Sequence, residues 1–326
     1  MNRLTALVLL FSLWFIACRE DENPLPDETD FRQEMRDFVQ NISAYAKAIN
    51  PDFFIIPQNG VELTGKASGN LIRPETAYLN AIDGVGQEDL FYGYDADDKE
   101  TPETVQAFLK TYLDMAKETG VTILVTDYCF THSKMDHSYT ANSESGYISF
   151  AADHRDLDNI PGYPVPIYHE NNMIINTLDS IRNFLYLINP DNEFATKQAF
   201  IQAIKNTNYD LLITDLFFDG IAFTAQEVTE LKQKANGGKR LVISYMSIGE
   251  AENYRYYWQD DWKPGNPSFI QNENPDWQGN YVVRYWDSQW QHIIFGNDDS
   301  YLKKILDAGF DGAYLDIIDA YEYFEE

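Results

Sequence analysis

Leu211-Leu212-Ile213-Thr214-Asp215 is an apolar run of the chain that ends in an acid. A run that is apolar along its length, without polar alternation, is typical of a parallel strand buried on both faces. Seven further apolar, β-rich segments occur along the chain, and amphipathic helical patterns separate most of them. Because strands that alternate with helices form parallel sheets, the sequence predicts an α/β protein.

The predicted strands and helices have definite limits. The strands are expected at Phe53–Pro57, Leu90–Tyr94, Val121–Asp127, Asn183–Ile188, Leu211–Phe217, Leu241–Ser247, Tyr281–Trp286 and Ala313–Ile317. The helices are expected at Phe31–Ile49, Pro102–Thr119, Phe194–Thr207, Ala225–Asn236 and Ser300–Ala308. Eight strands in about 300 residues favour a (β/α)8 TIM barrel, formed as a single domain by residues 31–326. An open α/β sheet is the alternative, although no Gly-rich phosphate loop follows any predicted strand.

Two long segments do not fit the alternation of strand and helix. Residues 129–180 are polar and aromatic, and residues 256–280 are rich in tryptophan and proline. Long irregular segments in a compact domain are commonly functional. Both are therefore predicted to be loops at the rim of the barrel.

The first 30 residues predict export and a lipid anchor. Arg3 and the apolar run that follows it form a signal peptide, residues 1–17. Phe15-Ile16-Ala17-Cys18 resembles a lipobox, so acylation of Cys18 would hold the protein at a membrane through a polar tether, residues 18–30. An ordinary signal peptide with an incidental Cys18 is the alternative. The expected location is the bacterial cell envelope, at the outer membrane, because Arg19-Glu20-Asp21-Glu22 resembles an export tag of surface-exposed lipoproteins.

The composition is strongly acidic, with 24 Lys and Arg against 52 Asp and Glu and a formal net charge of −28. Binding to nucleic acid through its phosphates is therefore excluded. An acidic surface attracts cationic substrates, such as a partly deacetylated amino-sugar polymer, and it also aids solubility. Charge alone does not separate these two explanations.

Polar side chains follow nearly every predicted strand. They are Gln58, Asn59, Asp127, Tyr128, Asn189, Asp215, Glu250, Glu252, Asp287, Asp316 and Asp319. In barrel enzymes the reactive groups lie at these strand ends. Carboxyl groups that converge there push their pKa values apart, so that one stays protonated while a neighbour is ionised. Glycoside hydrolysis requires such a pair of acids.

Aromatic side chains could provide stacking faces for sugar rings. The candidates are Tyr256, Tyr257, Trp258, Trp286 and Trp290, with ordinary packing as the alternative for at least half of them.

Three other chemistries find little support. His132 and His137 with Asp136 match no standard metal-ligand spacing, so no metal site is expected. The Gly-x-Ser-x-Gly elbow of serine hydrolases is absent. A calcium loop at residues 95–98 stays open as an alternative, although the Gly and closing Glu of the EF-hand pattern are missing.

Several segments resemble the endo-α-1,4-polygalactosaminidase family, glycoside hydrolase family 114. They are Ile243–Arg255 with Tyr257-Trp258, Asn274–Tyr281, Gly312–Asp319 and the acid-ending strand Leu212-Ile213-Thr214-Asp215. The resemblance covers most of residues 183–324. It implies a hydrolase, needing no cofactor, that cuts internal bonds of an α-linked polysaccharide of the galactosamine or N-acetylgalactosamine type.

The order of the segments departs from that of the family. In its members a segment like Asn183–Asn189 opens the barrel, and segments like Phe31–Gly60 and Ala81–Tyr92 come last. In this chain Phe31–Gly60 and Ala81–Tyr92 come first instead. The resemblance therefore implies a circularly permuted barrel. Since the ends of a closed barrel can lie side by side, this predicts that Glu326 lies near Phe31.

The resemblance also implies roles for individual residues. Glu252 and Asp316 match acids of the family motifs and are expected to be the catalytic pair. Asp215, Tyr245, Glu250, Arg255 and Asp319 are expected to bind substrate. Four more residues are expected to do so from their strand-end or aromatic positions: Trp258, Trp286, Asn59 and Asp127. Fungal members have a Glu where this chain has Tyr314.

Two competing hypotheses are a glycan-binding lipoprotein without activity and a hydrolase of a different glycan. A binding protein would keep the aromatic residues and lose the acids, so the retained acids favour the enzyme.

Overall fold

The computed structural model describes residues 29–68 and 71–325. The predicted signal peptide, the lipidated Cys18, nearly all of the tether and Glu326 lie outside the described residues. Within the described part, no helix has both the length and the apolar character needed to cross a membrane.

Eight parallel strands form the centre of the fold. In chain order, β1 to β8 are Phe54–Pro57, Gly84–Glu88, Thr122–Tyr128, Ile148–Ala152, Phe184–Tyr186, Leu211–Asp215, Leu241–Ser247 and Gly312–Asp316. Five of them pair in the order β1-β8-β7-β6-β5, and three pair in the order β2-β3-β4. A parallel bridge between Gln58 and Gly86 joins β1 to β2. The rings of Phe150 in β4 and Phe184 in β5 lie 5.7 Å apart.

Helices follow most of the strands. In chain order, α1 to α9 are Phe31–Ile49, Thr76–Leu79, Glu103–Glu118, His132–Ser145, Lys197–Lys205, Ala225–Leu231, Ser288–Ile294, Tyr301–Asp307 and Tyr321–Glu325. The 3-10 turns are Val61–Thr64, Leu178–Ser180, Pro190–Asn192 and Ile318–Ala320. Short antiparallel pairs are formed by Gly65–Ser68 with Leu71–Pro74 and by Phe217–Phe218 with Ile221–Ala222. The mixed α/β architecture with a central parallel sheet that the sequence predicts is confirmed.

The strand predicted at Leu90–Tyr94 is wrong, because the strand lies earlier, at Gly84–Glu88. Two glycines and two polar residues make up most of its five positions, so it lacks the apolar run that marks a buried strand. Gly86 is required there by a close approach, since a Cβ atom at this position would lie 1.9 Å from the Tyr314 hydroxyl oxygen.

The strand predicted at Tyr281–Trp286 does not belong to the parallel set. Residues Asn280–Val283 instead pair antiparallel with Glu250–Glu252 and with Ile270–Glu273 in a small separate sheet. The parallel set is completed instead by β4, Ile148–Ala152, which lies inside residues 129–180 and was not predicted as a strand. Neither that segment nor residues 256–280 is wholly a loop, since each contains regular structure.

Helix α4 went unpredicted because its inward face is partly polar. Buried Met135 and Tyr139 share that face with buried Ser138 and Asn142. The two polar side chains donate hydrogen bonds to a carboxyl oxygen of Asp127, at 2.6 and 3.1 Å. A buried acid thus replaces the apolar surface that an amphipathic pattern would reveal.

Helix α1 has the limits predicted from the sequence. Asp30 caps its N-terminus, and five apolar side chains at helical spacing face the core. The last helix packs beside it: the rings of Phe31 and Phe324 are stacked 5.4 Å apart, and Arg32 forms a 3.0 Å ion pair with Glu325. Glu326 itself is not described, but its chain neighbours therefore lie beside the start of α1.

Candidate active site

Acids stand at the carboxyl ends of three of the parallel strands. Glu88 ends β2, Asp215 ends β6 and Asp316 ends β8. The register places Tyr245 of β7 next to Asp215 on one side and next to Tyr314 on the other. The rim of the sheet therefore gathers carboxyl and phenol groups from neighbouring strands.

Arg255 joins two of the predicted site residues. Its guanidinium lies 2.7 Å from Asp215 Oδ2 and 2.5 Å from Glu252 Oε2, and all three side chains are buried. The Tyr254 hydroxyl donates a 2.6 Å hydrogen bond to the other oxygen of Glu252. Burial raises the pKa of Asp215, against the opposing effect of Arg255. One cation thus holds two carboxylates in fixed positions.

Asp316 has a different environment from Glu252. It accepts a 2.7 Å hydrogen bond from the Tyr245 hydroxyl and a 2.8 Å bond from the backbone N–H of Ile317. Burial, and then the nearby charge of Glu88, raise the pKa of Asp316 to about 8. At neutral pH this carboxyl group is mostly protonated and can donate a proton.

Glu88 is an acid of the site that sequence reasoning missed. Its carboxylate accepts hydrogen bonds from Gln58 Nε2 at 2.6 Å, from Asn59 Nδ2 at 3.0 Å and from the Tyr128 hydroxyl. Tyr186 holds Gln58 from the opposite side with a 2.8 Å hydrogen bond. The strand was expected six residues too late, so Glu88 did not fall at a predicted strand end.

The backbone is left-handed within two residues of the ends of β1, β2 and β8. The φ angles of Asn59, Asp89 and Ile317 are 59°, 58° and 58°. A β-branched residue such as Ile317 rarely adopts this conformation, which costs on the order of 1–3 kcal/mol. Strain of this kind concentrates at functional sites, and here it directly follows Asp316.

Two pockets open at this rim. The Arg255 pocket has a volume of about 620 Å³ and is lined by Asp215, Tyr245, Glu252, Tyr254, Arg255, Trp277 and others. The Glu88 pocket has a volume of about 450 Å³ and is lined by Asn59, Gln87, Glu88, Tyr94, Phe108, Asp319 and others. Asp316 lines neither pocket, but its hydrogen-bond partner Tyr245 lines the first. Burial is the main cause of its raised pKa, and the charges of Glu88 and Asp319, which line the second pocket, add to it.

Four of the predicted substrate-binding residues line neither pocket and contact other parts of the protein instead. Trp258 packs against the ring of Tyr281 at 4.9 Å, and Trp286 packs against Phe324 at 4.7 Å. Asp127 is fully buried and holds α4, as described above. Glu250 is buried and accepts hydrogen bonds from Asn274 and Asn280, at 2.7 and 3.2 Å.

Trp277 is an exposed aromatic residue of the Arg255 pocket that the prediction did not select. Its side chain is 57% exposed. It belongs to the segment Asn274–Tyr281, whose resemblance to the family could have pointed to it. The rim of the Arg255 pocket also carries Tyr254 and Tyr256, both of them exposed.

The acids of the possible calcium loop, residues 95–98, have protein partners. The acids of residues 95–98 form ion pairs with Lys99, Arg155 and Lys134. Among the described residues, one group has ligand atoms close enough for a metal ion: His154, Asp156 and Asp158, all within 4.8 Å. His154 already contacts Asp158 at 2.6 Å and Asp153 at 2.9 Å.

Residues 189–326 match the profile of glycoside-hydrolase family GH114. It is the family whose motifs the sequence resembles. The matched region contains Asp215, Glu252, Arg255 and Asp316, whereas Glu88 and its partners precede it.

The chain is also similar to uncharacterized proteins of three organisms. It is 41% identical over 133 residues to the uncharacterized protein MJ1477 of Methanocaldococcus jannaschii, covering 41% of this chain and 37% of that protein. An uncharacterized protein of Deinococcus radiodurans is 41% identical over 126 residues, covering 38% of each chain. One of Thermotoga maritima is 36% identical over 123 residues, covering 38% of this chain and 36% of that protein. The matches thus span well under half the length of these relatives.

Proposed function

We propose that this protein is a glycoside hydrolase that cleaves internal bonds of an α-linked polysaccharide of the galactosamine or N-acetylgalactosamine type. The observation that carries the proposal is Asp316, a carboxyl group with a pKa of about 8 whose neighbours Tyr245, Glu88 and Asp319 line two open pockets. The match of residues 189–326 to the profile of a glycoside-hydrolase family supports the reaction class.

The two acids would have different roles. Asp316, protonated at neutral pH, would donate its proton to the departing glycosidic oxygen. Glu252, held by Arg255, would attack the anomeric carbon or activate a water molecule. Tyr245 donates a hydrogen bond to Asp316; burial raises the pKa of its hydroxyl, and the charges of Asp316 and Glu252 raise it further, so both acids lie within its electrostatic reach. It would keep the donor oriented between substrate and glutamate.

Two pockets, each lined by neighbours of Asp316, favour cleavage within a chain. A polymer whose scissile bond lies at Asp316 would extend into the Arg255 pocket on one side and into the Glu88 pocket on the other. The exposed face of Trp277 would stack on a sugar ring in the first of these. An acidic protein would attract a polymer that carries free amino groups.

The architecture we propose is a closed, circularly permuted (β/α)8 barrel. It is supported by the strand order, by the Gln58–Gly86 bridge between the two sheets, and by the contact of Phe150 with Phe184. The contact between Arg32 and Glu325 supports the permutation, since the family's order would require these ends to be joined. We also propose lipid anchoring through Cys18 in the cell envelope, on the sequence features given above.

The test is release of reducing ends from partly deacetylated α-1,4-galactosaminan. The protein should release them, and the Asp316→Asn and Glu252→Gln variants should not. The control variant Asp52→Asn, at an exposed acid before β1 that lines neither pocket, should remain active. Full activity of either acid variant would overturn the assigned pair. Absence of release by the unaltered protein, with other glycans cleaved, would change the substrate but keep the reaction.

A glycan-binding protein without activity is the second candidate, and Tyr314 is the observation that favours it. Fungal members of the family carry a Glu at this position, whereas here the buried Tyr314 ring packs its hydroxyl against Gly86. Binding of the polymer by the unaltered protein without any release of reducing ends would support this candidate.

A further inference from the structure

A short antiparallel strand pair between β1 and β2 carries two exposed cations side by side. Its strands are Gly65–Ser68 and Leu71–Pro74, and their register places Lys66 directly opposite Arg73. Both side chains are exposed, and neither forms an ion pair with an acid in the described part of the chain. Like charges directly opposite each other disfavour strand pairing. In a protein with a net charge of −28, such a pair indicates a partner that is anionic.

The two faces of the strand pair differ. Successive side chains of a strand point to opposite faces. One face packs against α3, since a Cβ atom added at Gly65 would lie 2.8 Å from Cε of Met115. The opposite face carries Lys66, Arg73 and Leu71, and the side chain of Leu71 is 65% exposed. We name these three residues the basic face.

Hydrogen bonds from α1 fix the base of the strand pair. Buried Arg36 donates to the Leu63 carbonyl at 2.9 Å and to the Gly65 carbonyl at 3.1 Å. Arg36 lies in the second turn of α1, so the strand pair lies near the point where residues 18–30 reach the fold. The anchor proposed at Cys18 would therefore hold the basic face close to lipid headgroups. The charge of that face does not depend on the anchor.

Two cations beside one apolar side chain fit a membrane surface. Phosphate groups of anionic lipids would attract the cations, and Leu71 would enter the layer between headgroups and acyl chains. An anionic polysaccharide would also attract the cations, but it has no apolar layer for Leu71. The acidic remainder of the protein would be repelled by the same lipids, which would turn the strand pair toward them.

We propose that the basic face docks on a membrane surface that carries anionic lipid headgroups. Lys66 and Arg73 would lie against lipid phosphates, and Leu71 would lie below them. Each cation near such a surface strengthens binding only about fivefold. The basic face would therefore orient a protein that is already held at the membrane, since stable attachment takes a second signal.

A dye whose fluorescence increases in apolar surroundings tests this when it is attached at position 71 of the full chain. Leu71→Cys takes the dye in a Cys18→Ala background, because Cys129 is buried. Vesicles of phosphatidylcholine alone are compared with vesicles in which about 30% of the lipid is anionic phosphatidylglycerol. The dye should reach its half-maximal response at a lipid concentration at least about tenfold lower on the anionic vesicles.

Loss of both cations should remove this preference. The labelled chain with Lys66→Gln and Arg73→Gln should respond equally to the two kinds of vesicle. The control is Lys239→Glu, which changes the net charge by the same amount. It alters an exposed lysine before β7, at the amino ends of the strands, and should retain the preference.

Equal responses of the labelled chain to neutral and anionic vesicles would overturn the proposal, since the cations would then contribute nothing. The absence of a response to either kind of vesicle would overturn it as well. A response to soluble polygalacturonate that exceeds the response to anionic vesicles would assign the basic face to an anionic polysaccharide instead. None of these measurements depends on hydrolysis of a glycan or on acylation of Cys18.

Discussion

Replacing Asp316 by asparagine should change how the stability of the fold depends on pH. The carboxyl group has a pKa of about 8 in the folded protein, against an ordinary value of 3.8 for an aspartate side chain. The folded protein therefore retains a proton at this site that the unfolded chain has already released. Its stability is greatest below the unfolded value, and it falls as the pH rises toward 8. An asparagine has no proton to lose and makes no such contribution.

The magnitude follows from the two pKa values. They differ by about four units, and each unit corresponds to about 1.4 kcal/mol at 25 °C, which gives an upper bound of roughly 6 kcal/mol. The physical source is the removal of water from Asp316 and the charge of Glu88 beside it. The unaltered protein should lose stability between pH 4 and pH 8 relative to the variant, and above pH 8 the difference should become constant.

Urea unfolding followed by tryptophan fluorescence at four pH values between 5 and 8 measures this. The quantity compared is the free energy of unfolding of the unaltered protein minus that of Asp316→Asn, so that other titrating groups cancel. A change of less than about 1.4 kcal/mol across the range would refute the argument that burial holds Asp316 protonated.

Two further changes probe the partners of the acids. Glu88→Gln should lower the pKa of Asp316 by removing the neighbouring negative charge, so the alkaline limb of the kcat/KM profile should move to lower pH; an unmoved limb would contradict their electrostatic contact. Arg255→Lys should lower the free energy of unfolding by about 3–5 kcal/mol. A lysine cannot contact Asp215 and Glu252 together, so one buried carboxylate would lose its partner. Urea unfolding measures this change, and a stability equal to that of the unaltered protein would contradict the double ion pair of Arg255.

The sequence predicts those elements whose own residues are apolar. Strand Leu241–Ser247 and helix α1 have the limits expected from their patterns. Strand Gly84–Glu88 and helix α4 escape prediction, because their positions are fixed by partners remote in sequence. Tyr314 occupies the space above Gly86, and the acid of Asp127 binds α4 through Ser138. Neither contact is visible as a pattern in the sequence of the strand or the helix itself.

The candidate site was predictable to a similar extent. Asp215, Glu252 and Arg255 do come together, as the motifs indicated. Glu88 was missed with its strand. The side chains of Trp258 and Trp286 could not be assigned to a pocket or to packing, because an aromatic residue near a strand end serves either purpose.

The start of α1 lies on the same face as the pockets. Arg32 donates a 2.9 Å hydrogen bond to Glu62, and its guanidinium lies 4.8 Å from the ring centre of Tyr321; both of these residues line the Glu88 pocket. Any segment that precedes α1 therefore leaves the fold at the rim. With the proposed anchor at Cys18, a tether of residues 18–30 would reach at most roughly 45 Å. The face that carries the pockets would then be turned toward the lipid surface. The proposed hydrolase would act on glycan strands within reach of the tether, in preference to strands further out in the medium.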